Sequence, residues 1–261
     1  MRSLSIAATG MQAQQTNVDV ISNNIANMNT AAFKRQRAAF QDLLYQQIAR
    51  PGASGGGQEA RVATGIQIGA GVRTAGVYRI AEQGALTQTD NRYDIAIQGR
   101  GYFQVTLPSG ETGYTRDGSF QVSDQGELVT AQGLIVQPGI TIPPNTVDVA
   151  ISPTGEIQVK LADDPAMQTV GQLELASFVN EAGLEALGGN LLAETSASGQ
   201  ASLAAPGEPG FGTLAQGFLE ASNVNPVSEI TALIAAQRAY EMNSRVVKTV
   251  DEMLATNSQM R

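Results

Sequence analysis

The sequence predicts an α+β protein: N- and C-terminal helices paired as a coiled-coil-like layer, with an antiparallel all-β middle domain. Three observations predict it: the distribution of glycine and proline, the distribution of charge, and a change of apolar period along the chain. Of 28 Gly, residues 1–50 hold only Gly10 and residues 222–261 hold none. Of 10 Pro, the two ends hold only Pro226. These residues punctuate backbone structure, so the ends read as long helices and the middle as turn-rich. Charge divides at the same borders. Residues 1–50 carry five Lys/Arg against two Asp/Glu, residues 222–261 carry four of each, and the middle carries seven against 18. The expected organisation is 1–45 as N-terminal helix and connector, 46–65 as a Gly-rich insertion, 66–221 as a β-rich domain and 222–261 as C-terminal helix.

The N-terminal helix rests on a heptad stripe, with Leu4, Met11, Val18 and Ile25 in one column and Ala7, Gln14, Ile21 and Met28 in the other. Asn27-Met28-Asn29-Thr30 is its expected end, because Asn tolerates the left-handed conformation there. Phe33, Phe40, Leu43, Leu44 and Tyr45 continue an apolar face beyond it. The connector then meets Pro51-Gly52-Ala53-Ser54-Gly55-Gly56-Gly57-Gln58, flexible by composition.

The middle alternates apolar and polar residues in short runs bounded by turn residues. Asp94–Gln98 and Tyr102–Leu107 flank Gly99-Arg100-Gly101, and shorter runs follow at Tyr114–Arg116, Phe120–Val122, Glu127–Val129 and Leu134–Val136. Val147–Ile151 and Glu156–Lys160 flank Ser152-Pro153-Thr154-Gly155, a hairpin signal. The regular spacing predicts an antiparallel sheet or barrel.

The C-terminal helix opens with Asn225 as N-cap and Pro226 at the first helical position, where its missing N–H costs nothing. Ile230, Leu233, Ile234, Tyr240, Val247 and Leu254 make one stripe; Ala232, Ala235, Ala239, Met242, Val246, Val250 and Met253 make a second. A single intramolecular helical hairpin suits either stripe alone. Apolar residues on two sides call for more than one partner, which neighbouring copies would supply.

Composition removes most chemistry. With no His and no Cys, Ser-His and Cys-His nucleophile systems, His-metal sites and disulfides are all excluded. The net charge of −8 argues against nucleic acid, which demands basic surface. Asp163-Asp164, followed by Pro165, reads as a solvated loop instead of a catalytic pair. Asp117-Gly118 and Asp124-Gln125-Gly126-Glu127 lack a calcium-loop register and read as turns. Gly99-Arg100-Gly101 precedes a strand, so it is no dinucleotide fingerprint, and Gly55-Gly56-Gly57 lacks the Lys of a phosphate loop. Lys34-Arg35-Gln36-Arg37 is the one basic cluster, beside the apolar Phe33 and Phe40; a solvated face is the commoner setting for such a run, an acidic partner surface the other. No catalytic, cofactor or metal site is expected. No run approaches the length of a membrane span; Met1–Ala8 begins like a secretion signal, but Gly10, Gln12, Gln14, Gln15, Asn17 and Asp19 then interrupt the apolar run that one requires.

The run Gln14–Arg35, with Asn23-Asn24-Ile25-Ala26-Asn27, Asn29-Thr30 and Phe33-Lys34-Arg35, resembles the signature of bacterial flagellar rod and hook proteins. Asp94–Phe103, Tyr114-Thr115-Arg116-Asp117-Gly118-Ser119-Phe120, Ser222-Asn223-Val224-Asn225 and Ala236-Gln237-Arg238-Ala239-Tyr240-Glu241 resemble the same family's middle and closing motifs, so the likeness covers the whole chain. Ala32 stands where many members carry Gly. Length, Arg35–Tyr45 and the Pro51–Gln58 insertion look most like the distal-rod branch.

The resemblance implies a structural subunit of a hollow, straight rod in the basal body. It implies helices lining the tube and the β-domain outside, export through the flagellar type III apparatus without a cleaved signal, and transmission of torque to the hook. Implied partners are further copies in a helical array, other rod and hook proteins, surrounding ring proteins and the export apparatus. The assembly interface is expected at Leu4, Met11, Val18, Ile21, Ile25, Asn23, Asn24, Asn27, Phe33, Asn225, Ile230, Leu233, Tyr240, Val247 and Leu254. Pro51, Gly52, Gly55, Gly56, Gly57 and Gln58 are expected to set straightness. Two alternatives stay open: a proximal-rod or hook position, and a secreted β-domain enzyme anchored by its coiled-coil ends.

Overall fold

A computed structural model describes residues 2–49, 65–162 and 166–259. The chain divides into two compact units, Met1–Ala26 with Gln36–Arg79 and Asn225–Arg261, and Asn27–Arg35 with Ile80–Val224. The first unit holds α1 (Arg2–Ala26), β1 (Gln36–Asp42), β2 (Tyr45–Ala49), β3 (Ile66–Gly69), β4 (Val72–Arg79) and the 34-residue α2 (Pro226–Gln259). Asn225 caps α2 as expected, its Oδ1 accepting from the N–H of Val227 (3.1 Å) and Ser228 (3.2 Å). The helices run antiparallel, since Asn24 near the end of α1 meets Glu229 in the first turn of α2 while Gly10 faces Asn243. Gly10 is there for proximity: a Cβ on it would stand 2.9 Å from the Asn243 amide nitrogen.

Beyond α1 the expected continuation of an apolar face is corrected. Phe40 and Tyr45 belong to strands, because Gln36–Asp42 pairs antiparallel with Val72–Arg79 and Tyr45–Ala49 with Ile66–Gly69. Bonds from Leu43 N–H to Gly71 O (2.8 Å) and from Ala70 N–H to Leu44 O (3.1 Å) join the two pairs into one long ribbon. α1 packs on β1 and β4. A two-stranded ribbon is marginal by itself in water, and this one leaves Tyr45, Ile48, Ile66 and Ile68 exposed.

The second unit carries β5 (Leu86–Gln88), β6 (Ile95–Gln98), β7 (Tyr102–Thr106), β8 (Thr112–Thr115), β9 (Phe120–Val122), β10 (Leu128–Thr130), β11 (Thr146–Ile151) and β12 (Glu156–Leu161). It continues with β13 (Met167–Gln172), β14 (Leu175–Ser177), β15 (Glu185–Gly188), β16 (Leu191–Ala193), β17 (Ser202–Ala204), β18 (Thr213–Gln216) and β19 (Phe218–Glu220). All pairings are antiparallel: a six-stranded sheet ordered β15-β16-β8-β7-β14-β17, a three-stranded sheet β11-β12-β13, and the pairs β10-β9, β18-β6 and β19-β5. The expected hairpin is β11–β12, with Val149 opposite Val159, Ile151 opposite Ile157 and Gly155 at φ +86 in its turn. Inward-facing Ile95, Ile97, Phe103, Val105, Phe120, Leu128 and Ile157 build one core. Phe103 meets Phe120 edge-to-face with centroids 5.0 Å apart.

The end of α1 departs from expectation in one detail. Asn27 to Thr30 closes a turn (3.2 Å), yet the left-handed residue is Ala32, at φ +56 and buried, where its N–H donates to Glu220 O at 2.8 Å. The left-handed position therefore lies at Ala32 and not at Asn27 or Asn29, and its amide is held by the Glu220 carbonyl. A left-handed Cβ costs about 1–2 kcal/mol, and glycine's looser unfolded chain returns about 0.5–1 of that. Ala32→Gly is therefore expected to stabilise the protein by up to about 1 kcal/mol, and β-branched Ala32→Val to destabilise it, as read from urea unfolding by circular dichroism.

Candidate assembly surfaces and a buried polar knot

Within the helical unit the expected interface residues separate into buried and uncovered sets. Ile21 and Asn24 are buried inside the chain; Leu4, Met11, Val18, Ile25, Leu233 and Val247 are half-buried. Asn24 is committed internally. Its Nδ2 donates to Gln36 O (2.9 Å) and Glu229 Oε2 (3.1 Å), and its Oδ1 accepts from Gln36 N–H (2.8 Å). One amide thus ties α1, α2 and the base of the ribbon, with Glu229 wholly buried in the positive first turn of α2. Asn23 and Asn225 lie at the surface, and Asn27 and Phe33, which belong to the other unit, are half-buried.

Ile230, Tyr240 and Leu254 are 50%, 42% and 40% exposed. Val18 and Tyr240 line one groove of about 430 Å³ along the helix pair, with Gln15, Gln237 and Glu241. A further stripe recurs at spacings of four and seven, which places its members on one side of α2: Met242, Val246 and Met253, exposed by 60%, 47% and 59%. Val227, Ile230 and Ile234 form a second uncovered stripe near the start of α2. Two-sided apolar patterning in the sequence was the signal for both. Pro51, Gly52, Gly55, Gly56, Gly57 and Gln58 lie outside the described residues, as do Asp163 and Asp164.

The β-rich unit contains a site that sequence reasoning missed. Glu220, 3% exposed, receives Lys34 Nζ on Oε1 (2.5 Å) and Arg116 Nε on Oε2 (2.5 Å), while Gly84 N–H also donates to Oε1 (2.8 Å). Lys34 donates further to Glu82 O (2.8 Å), and Arg116 to Gly99 O (2.5 Å) and Gly101 O (3.0 Å). Asn223 completes the knot. Its Oδ1 accepts from Arg35 N–H (2.7 Å) and its Nδ2 donates to Ile80 O and Glu82 O (both 3.0 Å). Lys34 is therefore not part of a solvated basic face. The available signal was that Phe33-Lys34-Arg35, Tyr114-Thr115-Arg116 and Ser222-Asn223 each belong to a recognisable motif, and the three motifs converge.

Burial alone would raise the Glu220 carboxyl, but the Arg116 and Lys34 charges outweigh it and hold the group below the usual carboxylate range. Burial and the neighbouring Arg116 press the Lys34 ammonium below its usual value, against the pull of Glu220. The sign for Glu220 follows: with the folded value depressed, its contribution is complete above the unfolded value and is lost as pH falls through the folded one. Urea midpoints are expected to fall on acidification below about pH 4.5, the ordinary carboxylate value, and less steeply in Glu220→Gln. Equal slopes in the two proteins would contradict the assignment.

Asp117 Oδ1 accepts from Ser119 N–H (3.0 Å) and Oγ (2.8 Å), and its Oδ2 from Asn190 (3.1 Å), so this carboxylate is filled by protein donors. Among the described residues there is no side-chain cluster placed to hold a metal ion, and no helix is long and apolar enough to cross a membrane.

Three family profiles match in order: "Flagella basal body rod protein" over residues 4–34, "Flagellar hook protein FlgE/F/G D1 domain" over 96–159, and "Flagellar basal body rod FlgEFG protein C-terminal" over 215–260. The chain is 62% identical over 261 residues to the flagellar basal-body rod protein FlgG of Caulobacter vibrioides, covering 100% of both. It is 44% identical over 263 residues to that of Borreliella burgdorferi, covering 100% of this chain and 99% of the relative. A flagellar hook protein of Treponema pallidum is 46% identical over 142 residues, 52% of this chain but 29% of that protein. Full-length likeness runs to the rod proteins, and the chain belongs to the flagellar basal-body rod protein FlgG family.

Proposed function

We propose that the chain is the repeating subunit of the distal rod, assembling head-to-tail into a straight hollow tube that carries torque and passes exported subunits. The observation that carries this reading is the uncovered apolar surface of the helical unit: Met242, Val246 and Met253 on one side of α2, Val227, Ile230 and Ile234 on another, and the ribbon side chains. Heterologous contacts that do not close generate open filaments, so two distinct apolar stripes suit a helical array better than a dimer. The helices form the inner layer, the β-rich unit faces outward, and other rod, hook, ring and export proteins are its neighbours. It performs no catalysis.

Concentrated protein is expected to form straight tubes under negative-stain electron microscopy; a stable monomer at all concentrations would overturn the proposal. Curved filaments would favour the hook-type alternative suggested by the partial likeness to a hook protein. Residues 51–58 set straightness in this reading. Their deletion is expected to give bent or weak assemblies with unchanged β-sheet circular dichroism; loss of that signal would assign them to the fold instead.

A further inference from the structure

The chain passes between its two units four times, after Ala26, Arg35, Arg79 and Val224. On the β-rich side, the segments beside all four passages meet at the buried knot. Asn27–Arg35 enters through Ala32 N–H to Glu220 O, Phe33 O to Asn223 N–H (3.4 Å), Lys34 and Arg35. Ile80 donates its N–H to Arg35 O (2.8 Å) and, like Glu82, accepts from Asn223; Glu220 and Asn223 precede the last passage. Partners in these contacts lie 186 and 188 residues apart in sequence.

We propose that Lys34, Arg116, Glu220 and Asn223 form a latch that docks Asn27–Arg35 onto the β-rich unit and so holds the roots of both terminal helices together before copies assemble. A helix is costly to nucleate, and α1 and α2 begin far apart in the chain. With the latch closed, Ala26 and Asn225 are each a few residues from a fixed point. Pairing then starts at the Asn24–Glu229 contact, the next internal tie along both helices. The knot is built for retention: Glu220 and Arg116 are buried, Lys34 is largely covered, and all three are hydrogen-bonded, so opening it leaves charge uncompensated. These are positioning residues. The consequence for assembly rests on the tube-forming reading above; the docking itself does not.

Hydrogen exchange on full-length Lys34→Met tests this. Amides of residues 27–36 are expected to exchange at least 10-fold faster, with α1 and α2 also faster, while Ile95–Gln98 in the core keeps its protection. Lys34→Arg is expected to restore part of the protection. Asn223→Ala, which frees the same segment without touching a charge, is the second variant should the first fold poorly. Unchanged exchange at 27–36 in both variants, or an equal rise throughout the β-rich unit, would overturn the latch. Seeded elongation, measured in parallel, is expected to slow at least 10-fold in Lys34→Met, and elongation at the parent rate would overturn the pre-assembly role. If the parent protein forms no tubes, the assembly reading falls alone, because exchange still decides the latch.

Discussion

Replacing Glu220 with Ala is expected to destabilise the β-rich unit by about 3–5 kcal/mol, because it strands two buried cations at once. Lys34 and Arg116 are only 10% and 6% exposed at their side chains, so solvent offers little to replace the carboxylate. The truncation also orphans Gly84 N–H, which donates to the same carboxylate. Glu220→Gln retains acceptor capacity but not charge, so its loss is expected to be smaller. Combining Glu220→Leu with Lys34→Met and Arg116→Met removes the stranded charges, and buried ion clusters replaced by apolar residues are often no less stable. The triple variant should therefore recover part of the stability lost in Glu220→Ala. It should not recover all of it, since Arg116 also holds the carbonyls of Gly99 and Gly101. Urea unfolding followed by circular dichroism gives all three values. A Glu220→Ala midpoint indistinguishable from that of the parent would mean the knot is solvated and the assignment wrong.

The parts of the fold that were legible in the sequence are those whose signals are local. Asn225-Pro226 announces a helix start because capping involves residues two and three positions away. The hairpin Val147–Lys160 shows because its turn and its alternation are contiguous. Strands of three residues, such as β14 and β19, carry no measurable period, and their partners β7, β17 and β5 are remote in sequence. The ribbon escaped for a related reason: Gln36–Asp42 is polar at four of seven positions, and only its pairing with Val72–Arg79 makes it a strand. The knot was invisible as chemistry, since a lysine beside two arginines reads as a solvated face unless the carboxylate 186 residues away is known to lie against it. Ala32 is the reverse case. The motif marked the position as one where Gly is usual, and the backbone there is left-handed even with a Cβ present.

Val246→Glu is expected to abolish tube formation while changing monomer stability by no more than about 0.5 kcal/mol, the usual effect at an uncovered surface position. Val246 sits between Met242 and Met253 on the exposed side of α2, away from the face that meets α1. Val246 has about half its surface left to cover, worth about half of the 1.5–3 kcal/mol of a fully buried valine, so loss of that contact alone raises the assembly threshold about 3- to 10-fold. A carboxylate forced into the same contact adds a desolvation cost on top. The contact recurs at every subunit of a helical array, so no subunit escapes the defect. Lys248→Glu, two positions away on a polar part of the same helix, is the control: it changes charge by more than Val246→Glu and is expected to leave assembly within about threefold. Equal impairment by both substitutions would point to net charge and against the apolar stripe. Tubes from Val246→Glu at the parent's concentration would remove the stripe from the interface altogether, leaving the ribbon and the Val227–Ile234 stripe as the contacts that hold copies together.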